Sequence, residues 1–282
     1  ESPTPRRDET TPQLAVSDPP LTALKLAQGT LTYSDEGPLD APALLAVHGI
    51  PGSVRDFRHL GPLLSDRLRF IRVDLPGFGG SAPVDDAVDS FTGRARVVVE
   101  LADALGLAQF SILGHSMGGG TALVLAAARA QRVRLLALVS SVALSRHRGL
   151  GLPPTVFALM GRLLRVPGLG HLLLPWMRAQ YKRRRLPGAE TMNRSEMARQ
   201  LRAIAAVDFA LLRRSVSAAL PRTLLAYAKD DHMIETHVSE ELARALSQAR
   251  VLAFDSGGHN LQKTRAVELA QALRQELGVV DG

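Results

Sequence analysis

Eleven consecutive residues, Phe110 to Gly120, constrain the fold more than any other part of this 282-residue chain. They read Phe-Ser-Ile-Leu-Gly-His-Ser-Met-Gly-Gly-Gly. Phe110, Ile112 and Leu113 predict a buried strand, and the Ala- and Leu-rich stretch from Thr121 to Ala130 predicts a helix. Between them, Gly114-x-Ser116-x-Gly118 demands a turn so sharp that Ser116 takes a strained conformation and a side chain two residues to either side would collide with it. The hydroxyl then stands exposed at the end of a sheet, with the first N–H groups of a helix aimed at whatever lies above it. Ser116 is therefore a candidate nucleophile.

Strand and helix signals alternate on both sides of this turn. Leu24–Ala27 and Thr30–Ser34 predict a hairpin turned at Gln28-Gly29. Ala43–Val47 is apolar at every position, as expected of a parallel strand covered on both faces. Phe70–Val73, Leu135–Ser140, Thr223–Ala228 and Arg250–Phe254 predict further strands. Val54 to Ser65 suits a helix, and Ser90 caps another running to Leu105, with Val97, Val98, Leu101 and Leu105 at helical spacing. Helices are also expected near 238–247 and 261–277. The fold class is α/β, with a mostly parallel central sheet flanked by helices. One segment breaks the alternation. Residues 145–220 show no strand pattern, while Val156, Phe157, Leu159, Met160, Leu163 and Leu164 form a helical apolar stripe, so a helical cap is expected between two core strands. The organisation predicted is a flexible Pro-rich tail (1–20), a core built from 21–144 and 221–282, and a cap (145–220).

The hydrophobic content of 46% suits one large core. The net charge of +7 is uneven: residues 146–220 carry fourteen Arg or Lys against Glu190, Glu196 and Asp208, a local +11 that leaves −4 for the remainder. No nucleic-acid module accompanies this charge and aromatics are only 4%, so nucleic acid is not expected as a partner. The basic cap, with its run Lys182-Arg183-Arg184-Arg185, points to weak attraction for an anionic surface or substrate. Without cysteine there are no disulfides or thiolate metal sites. The histidines lack metal-ligand spacing, Asp231-His232 reads as loop chemistry, and no Gly-rich loop fits a nucleotide, so neither metal nor cofactor is expected. The longest uncharged run, Ala104 to Ala128, contains the Gly-rich turn and reads as strand plus helix, not as a membrane span. A cytoplasmic location is favoured. A mature exported form also fits, because residue 1 is Glu and not Met.

A serine hydroxyl is a poor nucleophile at neutral pH and needs a base. Of the eight histidines, His259 follows a late strand in Ser256-Gly-Gly-His-Asn, where glycines let a loop carry the imidazole back over the turn. His59, His147, His171 and His237 read as surface-loop residues. The acid that orients the base is Asp230 or Asp231, just after the strand ending at Ala228.

His48-Gly-Ile-Pro-Gly52, Asp74-Leu-Pro-Gly-Phe-Gly79, Gly114-His-Ser-Met-Gly-Gly119, Asp230-Asp231 and Gly258-His259 stand in the order seen in the α/β-hydrolase superfamily. Over roughly residues 24 to 277 the chain resembles its capped esterase, lipase and peptidase-like members. The resemblance implies that the acid stands three positions after Ala228, at Asp231, leaving Asp230 to bond local backbone. It implies an oxyanion hole formed by the N–H groups of Met117 and Ile50. His48 is expected as a structural hydrogen-bonder close to the substrate, with Phe157, Met160 and Trp176 of the cap as further substrate contacts. His115 and the Met117 side chain are expected to pack around the turn. Epoxide hydrolases and haloalkane dehalogenases of this fold place Asp where Ser116 stands, so the serine separates this chain from them. The activity implied is a cofactor-free serine hydrolysis of carboxylic esters with a hydrophobic moiety, through an acyl-enzyme on Ser116. The same residues serve C–C bond hydrolases, thioesterases, aminopeptidases and acyltransferases, and non-catalytic ligand receptors also use this fold.

Overall fold

The computed structural model describes residues 18–26, 29–83, 85–183 and 192–279. Most of the expected tail, Gln28 and the Arg184-Arg185 part of the basic run lie outside the described residues. Among them, eight strands form one sheet: β1 (Thr22–Leu26), β2 (Gly29–Glu36), β3 (Ala43–Val47), β4 (Arg69–Val73), β5 (Phe110–His115), β6 (Val133–Val139), β7 (Arg222–Ala228) and β8 (Arg250–Phe254). Their spatial order is β1-β2-β4-β3-β5-β6-β7-β8. β1 pairs with β2, and β2 with β4, in antiparallel fashion; every other neighbouring pair is parallel.

Between the early strands run α1 (Gly61–Leu64), α2 (Phe91–Ala104) and α3 (Met117–Ala128). Between β6 and β7 lie α4 (Pro154–Arg165), α5 (Leu169–Arg183), α6 (Arg194–Ala205) and α7 (Phe209–Val216). α8 (Thr236–Ala245), α9 (Leu261–Thr264) and α10 (Ala266–Leu277) complete the chain. Strand alternation feeds two cores. Leu45 and Val47 of β3 join Ile112 and Leu138 in a layer with Val98 and Leu101 of α2, Leu123 of α3 and Leu242 of α8. Their neighbours Leu44 and Ala46 join Leu113 and Ala137 in the opposite layer, with Leu64 of α1 and Leu269 and Leu273 of α10. A strand covered on both faces must be apolar throughout, and all five residues of β3 are buried.

The predicted helix at 54–65 is interrupted. A 3-10 turn, Val54–Phe57, is capped by Ser53 and Asp56 in a reciprocal box, and α1 then restarts with Pro62 in its first turn. Proline has no N–H to give and crowds the preceding turn, so one continuous helix cannot form. The helix after Ser116 starts earlier than expected, at Met117, and the last predicted helix divides at Arg265 between α9 and α10.

α4, α5 and α6 share a core of their own, including Phe157, Leu164, Met177, Met197 and Leu201. α7 leaves that group: Leu212 joins the sheet core. An ion cluster ties α6 to the turn before α2. The Asp89 carboxylate, 5% exposed, accepts from Arg199 at 2.8 Å and Arg202 at 3.0 Å. Burial nevertheless pushes the Asp89 carboxyl up against the pull of those guanidiniums. Among the described residues no helix is long and apolar enough to cross a membrane. From β3 the chain moves to β4 on one side and then to β5 on the other, so a crevice opens outside the carboxyl ends of β3 and β5.

Candidate active site

Ser116 sits in that crevice, between the end of β5 and the start of α3, with φ 53°. The flanking glycines are required, for a reason slightly different from the one expected. A Cβ on Gly114 would lie 2.5 Å from the Gly118 carbonyl oxygen, and one on Gly118 would lie 2.2 Å from that of Val47. The collisions are with backbone of the turn and of β3, which cannot swing aside. Gly49 matters for the facing loop, since a Cβ there would lie 3.0 Å from that of Ser116.

The loop after β8 brings His259 over this turn. Its Nε2 lies 3.0 Å from Ser116 Oγ, and its Nδ1 lies 2.8 Å from Asp231 Oδ2. Asp231 Oδ1 also accepts the N–H groups of Met233 (2.7 Å) and Ile234 (3.1 Å). Burial alone would raise the Asp231 carboxyl, but the bond to His259 and the two N–H groups outweigh that and hold it below the usual carboxylate range. An ionised Asp231 fixes the proton on Nδ1 and leaves the Nε2 lone pair facing the serine hydroxyl. Asp230 does not bond local backbone. Its carboxylate accepts the N–H groups of Gly257 (3.2 Å) and Gly258 (2.7 Å), clasping the loop that carries His259. Ile50 and Met117 line the same cavity as Ser116. Met117 is the first residue of α3, where an N–H has no partner within the helix, and among the described residues the Ile50 N–H meets no backbone acceptor. The arrangement can take a proton from Ser116.

A family model described as the alpha/beta hydrolase fold matches residues 42–266. The chain belongs to the α/β-hydrolase family. It is 30% identical over 266 residues to a 2-hydroxymuconate semialdehyde hydrolase of Pseudomonas putida, covering 91% of this chain and 94% of the relative. It is 31% identical over 242 residues to the dihydrolipoyllysine-residue acetyltransferase component of the acetoin cleaving system of Pseudomonas putida; that match covers 82% of this chain but only 62% of the relative's length. Among solved structures, the enol-lactonase from Burkholderia xenovorans LB400 superposes with a TM-score of 0.72 at 23% identity, over 91% of this chain and 100% of that one.

The cavity of this α/β hydrolase has an apolar wall that includes Val142, Phe157 and Ile204. Opposite chemistry comes from an ion pair, Asp56 with Lys263 at 2.7 Å, and from His147 and Gln200. Lys263 holds the Asp56 carboxyl low against the raising effect of its burial. Of the substrate contacts expected from sequence, Phe157 lines the cavity. The other three do not. Met160 packs against the core of α4–α6, and Trp176 is 53% exposed on the outside of α5. His48 is fully buried and spent locally: Nε2 accepts the Leu75 N–H at 2.9 Å and Nδ1 donates to the Gly49 carbonyl at 2.5 Å.

Three contributors were missed. His115, expected only to pack, donates from Nε2 to the His259 carbonyl at 2.9 Å. Burial, with His259 alongside, pushes its imidazole down to about 3. His147 is no surface-loop residue. Its Nδ1 donates to the Met233 carbonyl at 3.0 Å, its Nε2 is buried without a partner among the described residues, and burial lowers its basicity. Gln200, 3% exposed, likewise leaves Oε1 unpaired. His115 abuts Ser116 in sequence, which is a usable signal. Nothing local in the sequence marks His147 or Gln200.

Proposed function

We propose that this α/β hydrolase is a serine hydrolase of carboxylic esters, acting through an acyl-enzyme on Ser116. The observation that carries the reading is the continuous chain Ser116 Oγ, His259 Nε2, His259 Nδ1 and Asp231 Oδ2, at 3.0 and 2.8 Å. Ser116 Oγ attacks the acyl carbon while His259 Nε2 takes its proton. Asp231 stabilises the imidazolium so formed. The N–H groups of Ile50 and Met117 receive the negative oxygen, each worth about 3 kcal/mol in the transition state. Collapse expels the alcohol, which takes the proton back from His259. Water then attacks the acyl-enzyme with His259 again as base, releasing the acid and restoring the serine hydroxyl. These steps draw only on groups of the protein and on water.

Halide or epoxide opening is disfavoured on chemical grounds. A serine that displaces at a saturated carbon is left as an ether, which water does not cleave, whereas a carboxylate nucleophile would be left as a hydrolysable ester. The apolar wall suits a hydrophobic acyl or alcohol portion, and the unpaired acceptors of His147 and Gln200 favour one that also carries a hydroxyl or N–H. C–C bond hydrolysis is the second reading, favoured by the 30% identity to 2-hydroxymuconate semialdehyde hydrolase.

A panel of p-nitrophenyl esters of increasing length, plain and hydroxylated, run beside a thioester, a peptide and a vinylogous diketone, separates these readings. Ester turnover is expected, with fluorophosphonate labelling of Ser116. Ser116→Ala should abolish labelling and lower kcat by about 10⁴-fold or more with the fold intact. Turnover of the diketone alone would transfer the assignment to C–C hydrolysis, and an alcohol acceptor outcompeting water would transfer it to acyl transfer. No labelling at all would leave a ligand receptor.

A further inference from the structure

Large apolar side chains stand exposed at nine described positions, and five of these fall between residues 159 and 176. They are Leu159 (55%), Val166 (45%), Leu169 (39%), Leu172 (78%) and Trp176 (53%). Leu21, Leu39, Val251 and Val267 are scattered elsewhere. On α5, Leu169, Leu172 and Trp176 recur at helical spacing and share one outward face, while Gly170, Met177 and Tyr181 turn inward. The helix is thus apolar on two sides, and only the inner one is covered by this chain.

The charge carried by these two helices has one sign. Residues 154–183 contain no Asp or Glu and five basic residues. Arg165 is paired with Asp86, and Arg178 donates to the Met192 carbonyl. Arg162 and Arg183 stand exposed, and Arg183 continues the spacing of Leu169, Leu172 and Trp176 at the end of the helix. A two-fold self-association would set this cationic stripe against itself. A bilayer with anionic headgroups suits it instead: leucines enter the acyl boundary, the indole sits at headgroup level, and the basic side chains reach phosphates.

We propose that the outer face of α4 and α5 docks on an anionic lipid surface. Phe157 of α4 and Tyr181 of α5 wall the substrate cavity, so docking brings that cavity within about one helix diameter of the lipid. Docking through this face does not depend on the reaction at Ser116.

Trp176 is the only tryptophan in the chain, so intrinsic fluorescence reports on this face and no other. The full chain is titrated with vesicles of phosphatidylcholine alone and of phosphatidylcholine with phosphatidylglycerol, at low and high salt. Anionic vesicles should shift Trp176 emission to the blue and protect it from acrylamide, with partitioning about tenfold or more above that on the zwitterionic vesicles and weakened by salt. Leu172→Glu should lower partitioning by about tenfold while circular dichroism and thermal unfolding match the parent chain, since this side chain is 78% exposed and outside the cavity. Emission unmoved by anionic vesicles, or moved equally by both compositions, overturns the proposal. A blue shift that grows with protein concentration without lipid overturns it in favour of self-association.

Discussion

Acid titration of stability tests how His115 is held beside the His259 imidazole. This side chain is 4% exposed, its Nδ1 has no partner among the described residues, and its ring centroid lies 5.0 Å from that of His259. Burial first, and the neighbouring His259 second, depress its pKa from 6.5 to about 3. Below pH 6.5 the unfolded chain therefore takes up a proton that the folded chain refuses. The stability contributed by this site is complete above that pH and drains away as pH falls toward 3. The loss amounts to about 1 kcal/mol at pH 5.5 and about 3 kcal/mol at pH 4.5. Asp56, Asp89, Asp231 and His147 also titrate with shifted pKa, so the measurement must be a difference. His115→Gln is the partner, because its amide can still donate to the His259 carbonyl. Urea unfolding of both proteins near neutrality and at about pH 4.5 gives the comparison. The variant starts less stable, and the gap should narrow by about 3 kcal/mol across this range. A gap that holds constant refutes the assignment of His115 as a buried neutral base.

Asp231→Asn should lower kcat by about 10⁴-fold, because an amide cannot fix the His259 tautomer or stabilise its charged form. Asp230→Asn keeps one oxygen for the Gly258 N–H and should cost within about tenfold; the reverse order in steady-state kinetics would reassign the acid. Gly118→Ala places a methyl 2.2 Å from the Val47 carbonyl oxygen, so the end of β3 must shift and carry the Ile50 loop with it. A stability loss of about 3 kcal/mol, with fluorophosphonate labelling slowed, is expected, and wild-type values for both would contradict the packing described.

Much of the sheet was legible because its strands are buried on both faces, which forces an unbroken apolar run such as Ala43–Val47. The Ser90 cap was legible for an equally local reason, its hydroxyl accepting the Gly93 N–H at 3.0 Å. The break at Gly61-Pro62 was written in the sequence too, but apolar spacing across 54–65 masked it. The choice between Asp230 and Asp231 rested on likeness to other sequences. Both carboxylates turn toward the His259 loop, one to the imidazole and one to the backbone, and no spacing rule separates those roles. His147 was illegible in a stronger sense. Its partner is the carbonyl of Met233, 86 positions away, so its place in the cavity exists only once β6 and β7 are paired.

The ties that set the reactive geometry and those that shape the cavity come from different parts of the chain. Four residues hold the backbone of the His259 loop: Asp230 through the Gly257 and Gly258 N–H groups, Thr264 Oγ1 through the Gly257 carbonyl at 2.7 Å, Arg265 Nε through the Ser256 carbonyl at 3.0 Å, and His115 through the His259 carbonyl. All four originate in the sheet or the segments flanking it. α4, α5 and α6 supply none of them; they contribute Phe157, Tyr181, Gln200 and Ile204 to the cavity wall and reach the core through Asp89. Substitutions on those three helices can therefore reshape what the cavity accepts while the 3.0 Å contact between His259 and Ser116 stays in place. That separation gives a physical reason why likeness across the sheet fixes the family of this chain but leaves its substrate to be decided by the helices between β6 and β7.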